Sequence, residues 1–141
     1  MLTIEEALEK EGKCVFPVKG VSMMPMLEQG RDTVVIAPVR GKLKKYELPL
    51  YKKGDAYYLH RIIGVKKNYY VICGDNCILK EKIPFENVVG VAVGFYKNGK
   101  YVSCDNEAYV DYAKKKARGR FFRSIKRNFL YGVERFFGKK Q

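Results

Sequence analysis

Tyr57-Tyr58-Leu59-His60-Arg61-Ile62-Ile63-Gly64-Val65, then Lys66-Lys67-Asn68, then Tyr69-Tyr70-Val71-Ile72-Cys73 is the stretch that decides the fold. Two runs of β-branched and aromatic residues flank a short polar break, the pattern of two strands joined by a turn. The same texture spreads outward, with further strands predicted at residues 14–18, 33–37, 88–96 and 101–103. Lys97-Asn98-Gly99-Lys100 separates the last two, and Asn-Gly supplies the positive φ angles that a two-residue hairpin turn demands. The body is predicted to be mainly β.

Both ends read differently. Thr3-Ile4-Glu5-Glu6 fits a capping box, with Ile4, Ala7 and Leu8 following at helical spacing, so a short helix is expected over residues 3–11. Beyond Asp111 the strand signals stop. Phe122, Ile125, Phe129, Val133 and Phe136 recur at helical spacing with Lys and Arg on the opposite face, which predicts a basic amphipathic C-terminal helix.

A chain of 141 residues is one domain by size, large enough to bury a core without disulfides or a structural metal. The expected division is a β domain over residues 1–111 and a basic tail over 112–141. The charge supports that division. The chain carries 28 Lys+Arg against 15 Asp+Glu, a formal +13, and residues 112–141 hold 11 of those cations with Glu134 as the lone acid. Such a tail suits peripheral contact with an anionic membrane, and it suits packing on the body equally well. Nucleic acid ranks behind both, because no DNA-binding motif accompanies the charge.

No apolar run approaches the roughly 18 to 20 residues that a membrane-spanning helix needs, and Met1 to Lys13 is acidic where a signal peptide is basic then apolar. A cytoplasmic protein is expected, peripheral at the membrane if the tail docks there. Its cysteines, Cys14, Cys73, Cys77 and Cys104, should then be reduced. The Cys73/Cys77 spacing is not a usual zinc spacing and the chain has one histidine, so no metal or cofactor is expected.

Three boxes carry chemistry. Gly20-Val21-Ser22-Met23-Met24-Pro25 places a serine in a turn after a strand, and taken alone Ser22 reads as an ordinary turn residue. Leu59-His60-Arg61 puts the single histidine in a strand, and Gly74-Asp75-Asn76 closes the next one. A nucleophilic serine needs a base of near-neutral pKa, which histidine supplies, and a carboxylate can orient the imidazole.

In that order the boxes resemble the Ser-His branch of the signal peptidases, the archaeal and endoplasmic-reticulum type, within the clan that includes LexA-type serine peptidases. Bacterial signal peptidases and LexA-type proteins carry a lysine where this chain has His60. The resemblance covers residues 20–94, a little over half the chain. It implies a LexA/signal-peptidase-like complex β fold and a serine endopeptidase with Ser22 as nucleophile, His60 as general base, and Asp75 as third member or structural support. The family's second acidic position holds Glu81 here, so Asp75 and Glu81 both stand as carboxylates to orient His60, with Asp75 preferred. Arg61 is either an electrostatic support or a salt-bridged structural residue, and Asn76 a turn residue. Met23, with Met24 and Met26, either lines an apolar substrate groove or packs in the core.

The chain departs from the family at Arg31, inserted between Gly30 and Asp32, and in carrying no N-terminal membrane anchor. A peptide or protein substrate is therefore expected, such as a leader or signal-like peptide, extended beside a strand edge with small residues at the cut bond. Lys42, Lys44 and Lys45 lie in a polar stretch where a lysine stays charged, which argues against a Ser-Lys dyad. The rival reading is a catalytically silent peptide-binding or regulatory scaffold recruited by its basic tail. Self-cleavage of the LexA kind is weakened because no DNA-binding segment precedes Ser22.

Overall fold

The structure is a computed structural model that describes residues 2–20 and 22–119. It is mainly β, with a short helix near each end of the described chain. Helix α1 (Ile4–Glu11) starts at the predicted capping box: Glu6 N–H donates to Thr3 Oγ1 at 3.1 Å and Thr3 N–H donates to Glu6 Oε2 at 2.9 Å. Such a cap stabilises a helix end by about 1 kcal/mol.

Nine strands follow: β1 (Cys14–Pro17), β2 (Thr33–Ala37), β3 (Pro49–Lys53), β4 (Ala56–Leu59), β5 (Arg61–Val65), β6 (Tyr69–Cys73), β7 (Glu81–Pro84), β8 (Val88–Lys97) and β9 (Lys100–Ser103). Helix α2 (Glu107–Arg118) closes the described chain. The larger sheet runs β1-β2-β8-β3-β4, with β9 also paired to β8, and β5-β6-β7 make a second, smaller sheet. All the pairings are antiparallel. The predicted hairpin turn is present, with Asn98 at φ 52° and Gly99 at φ 83°.

The sequence reading needs three corrections. The run predicted as one strand over residues 57–65 is two, broken at His60, because the chain leaves the larger sheet after Leu59 and enters the smaller one at Arg61. Strand β3 was not predicted. It is buried on both faces, Leu50 in the core under the larger sheet and Tyr51 in the core shared with the smaller one, so its residues do not alternate apolar with polar. Strand β7 was also missed, since Glu81-Lys82-Ile83-Pro84 carries few strand formers.

Helix α2 begins at Glu107, its N-cap Asn106 accepting from the Tyr109 N–H at 3.1 Å, and so it straddles the 111/112 division. Ala113 is buried, and Tyr109 and Tyr112 pack against the larger core. The first turns of the basic stretch thus rest on the body. The amphipathic run from Phe122 to Phe136 lies outside the described residues.

Arg31 turns back onto Asp32. The buried Asp32 carboxylate takes Arg31 Nε at Oδ1 and Nη2 at Oδ2, both at 2.8 Å, and also accepts the backbone N–H of Glu28 at 2.9 Å and of Asn98 at 3.0 Å. It therefore ties the turn before β2 to the β8–β9 hairpin. Arg31 and these amides hold its carboxyl down at about 2, against an ordinary 3.8. A carboxylate whose pKa is depressed in the folded state stabilises fully above its unfolded value, and the contribution vanishes as pH falls through the folded one. Asp32→Asn should accordingly cost about 2 kcal/mol at pH 7. Urea melts should show the gap to the wild type shrinking progressively below pH 4 and closing near pH 2. A gap independent of pH would mean that the charge is not what Asp32 contributes.

Candidate active site

Ser22 opens a turn that the core holds from below. Met23, Met26 and Leu27 are buried in the larger core, and Leu27 N–H donates to the Met23 carbonyl at 3.1 Å. Gly20 enters the turn at φ 76°, a conformation glycine adopts without strain. The Gly74-Asp75-Asn76 box grips the same turn from the other side: Asn76 N–H donates to the Ser22 carbonyl at 2.7 Å, and Asp75 N–H approaches Met23 Sδ at 3.4 Å. A Cβ on residue 74 would lie 2.8 Å from the Ser22 carbonyl oxygen, so only glycine allows that approach. The box is thus a backbone cradle for the serine.

His60 sits at the crossing between the sheets. The Tyr58 and His60 rings lie with their centroids 6.2 Å apart, and Tyr51 lies opposite Tyr58 in the β3–β4 register. The imidazole reaches Ser22 Oγ through Nε2 at 3.0 Å and the Tyr51 hydroxyl through Nδ1 at 2.9 Å. The Tyr51 hydroxyl continues to Glu81 Oε1 at 3.1 Å, and Glu81 is ion-paired with Lys53. Burial lowers the His60 pKa from its ordinary value, with the charges of Glu81 and Asp75 pulling weakly the other way. Its neutral form, the one able to accept a proton, is thereby favoured. The bond from Lys53 holds Glu81 below the usual carboxylate range, against a smaller opposing effect of burial.

Asp75 is not brought to His60, the role preferred for it from sequence. Arg61 Nε and Nη2 occupy its two oxygens at 2.7 and 2.8 Å, and both side chains are essentially buried. Arg61 also donates to the Tyr46 carbonyl at 2.9 Å and the Tyr109 hydroxyl at 3.1 Å. Burial works against the Arg61 charge, but its bonds to Asp75 and Tyr109 outweigh that and hold its pKa above the ordinary value. The pair fits a structural pin: it joins the strand carrying His60 to the box cradling Ser22. Lys42 and Lys45 lie over the rings of Phe85 and Tyr46, both at 5.3 Å from the ring centroid.

Ser22 and His60 open into a cavity of about 530 Å³. Strands β1 and β4 are the two ends of the larger sheet, yet residues of both line this cavity, among them Phe16 and Pro17 from β1 and Tyr57 and Leu59 from β4. The sheet therefore curls until its edge strands flank a common groove. Ile4 of α1 lines it too, and the Tyr57 hydroxyl donates to Glu5 Oε2 at 2.7 Å, tying that helix to β4. Met23 lines the groove while remaining buried, so it serves in packing as well as in the wall.

Tyr51 is the site residue that sequence reasoning missed. The signal available was Lys53-Gly54-Asp55-Ala56, a two-residue Gly-Asp hairpin turn with Gly54 at φ 60°, which would have placed residue 51 across from residue 58. No protein-family model, no curated protein and no solved structure matches this chain.

Proposed function

We propose that the chain is a serine endopeptidase of the Ser-His type, within the signal-peptidase and LexA-like clan. The observation that carries this reading is His60 Nε2 at 3.0 Å from Ser22 Oγ, within a groove flanked by two strand edges. A half-buried imidazole whose neutral form is favoured, at hydrogen-bond distance from a hydroxyl, is the arrangement that general-base activation requires.

Ser22 Oγ attacks the carbonyl carbon of a peptide bond as its proton passes to His60 Nε2. The tetrahedral oxyanion takes hydrogen bonds from backbone amides, those of Ser22 and Met23 being the proposed donors. His60 then returns the proton to the leaving amine, and water activated by the same imidazole hydrolyses the acyl ester. An unpaired edge of β1 or β4 supplies main-chain partners for an extended peptide, as in strand addition generally. A leader or signal-like peptide is the proposed substrate.

Among the described residues, no helix is long and apolar enough to cross a membrane. The charge of residues 112–141 supports a cytoplasmic protein in peripheral contact with anionic lipid.

Treatment with a fluorophosphonate tests the proposal. The wild type should gain one adduct on Ser22, and Ser22→Ala none, as read by mass spectrometry. The labelling rate should rise with pH through an apparent pKa below the ordinary histidine value of about 6.5, then level off, because burial lowers that of His60. A folded wild-type protein that takes no label would sink the peptidase reading and leave the peptide-binding scaffold.

A further inference from the structure

We infer that Tyr51, backed by Glu81, is the positioning residue that holds His60 in the tautomer able to accept the Ser22 proton. The inference rests on the Ser22–His60 reading above, and takes the place of a direct carboxylate contact that the structure assigns elsewhere.

Counting protons gives the direction of the chain of bonds. Glu81, ion-paired to Lys53, is an ionised carboxylate and can only accept. The Tyr51 hydroxyl has one proton, and Glu81 Oε1 stands 3.1 Å from it. Spending that proton on His60 would leave the tyrosine oxygen facing a carboxylate oxygen with no hydrogen between them, which is repulsive beside the buried Tyr51 ring. The proton therefore goes to Glu81. His60 Nδ1, 2.9 Å from the same hydroxyl oxygen, must then supply the hydrogen of its own contact. Nε2 is left with a bare lone pair directed at Ser22 Oγ, 3.0 Å away. Each contact has one hydrogen, and all of them point from the serine towards the carboxylate.

Burial makes the arrangement firm. Tyr51 is 0% exposed, and its ring lies beside those of Tyr58 and His60, with centroids 5.7 and 5.9 Å away. A phenol in that position keeps its proton, since burial and the neighbouring Glu81 charge both raise its pKa. It therefore acts as a neutral relay. When His60 takes the Ser22 proton, the new positive charge sits one tyrosine away from Glu81, and the polarised hydroxyl passes on part of the carboxylate's stabilisation.

The chain's single histidine makes the test direct, because ring nitrogen NMR signals need no assignment among several. At a pH where His60 is neutral, the ¹⁵N-labelled wild type should show a protonated Nδ1 and a bare Nε2. Tyr51→Phe, which keeps the ring, should shift the population towards protonated Nε2. It should also slow fluorophosphonate labelling of Ser22 roughly 10- to 100-fold at the pH plateau, since the wrong tautomer points its hydrogen at the serine. Glu81→Gln offers an amide that donates to the tyrosine oxygen, so it should move the tautomer the same way. It serves as the second probe should Tyr51→Phe fold poorly. A wild-type spectrum with protonated Nε2, or variants whose tautomer matches the wild type, would overturn the relay. Loss of labelling in the wild type with the Nδ1 proton in place would sink the peptidase reading and leave the relay standing.

Discussion

Asp75→Ala is expected to cost about 3 to 5 kcal/mol of folding stability, a large share of the roughly 5 to 15 kcal/mol that holds an ordinary domain together. The reason is the state in which the variant leaves Arg61. That guanidinium is 0% exposed, and both oxygens of its carboxylate partner would be gone while the positive charge stayed buried. Its remaining partners, the Tyr46 carbonyl and the Tyr109 hydroxyl, are neutral. The loss should spread, because Arg61 helps to hold Tyr46 at φ 80°, a conformation that costs a non-glycine residue about 1 kcal/mol or more. Urea denaturation should show the midpoint falling sharply. The double variant Arg61→Met/Asp75→Leu should recover much of the loss, since an apolar pair leaves no unpaired charge. An Asp75→Ala protein as stable as the wild type but unable to take a fluorophosphonate would place Asp75 in the chemistry instead.

His60→Ala should do the reverse, leaving a folded protein whose Ser22 reacts at least about 10³-fold more slowly. A serine hydroxyl is almost wholly protonated at neutral pH, so its reactivity depends on the base that removes the proton as the new bond forms. Lys53, at the far end of the relay, does not stand in as a base, because Glu81 holds it charged by raising its pKa. Labelling rates at pH 8, followed by mass spectrometry, measure the effect. A variant labelled within tenfold of the wild type would show that Ser22 owes nothing to His60.

These two outcomes separate what the three boxes do. Read along the chain, Ser22, His60 and Asp75 look like one unit, because a nucleophile, a base and an orienting carboxylate are the members of a triad. In space they divide. Ser22 and His60 meet directly, whereas Asp75 works through Arg61 and through the backbone of its turn, and Glu81 reaches His60 by way of Tyr51. The open choice between Asp75 and Glu81 could not be closed from sequence, since both stand at turn or strand positions compatible with the site.

Features that depend on near neighbours were legible in the sequence. The Thr3/Glu6 capping box and the Asn98-Gly99 turn rest on contacts within a few residues or on the φ preference of one, and the strands at 33–37 and 69–73 showed in their local runs of β-branched and aromatic residues. The meeting of Ser22 with His60, 38 residues apart, was anticipated only through the order of the boxes. Tertiary structure alone decided the break at His60, the doubly buried β3 and the place of Tyr51 beneath the imidazole. Each depends on which strand lies beside which and in what register. One residue of slip turns every side chain of a strand to its other face, and many distant residues share in setting that register.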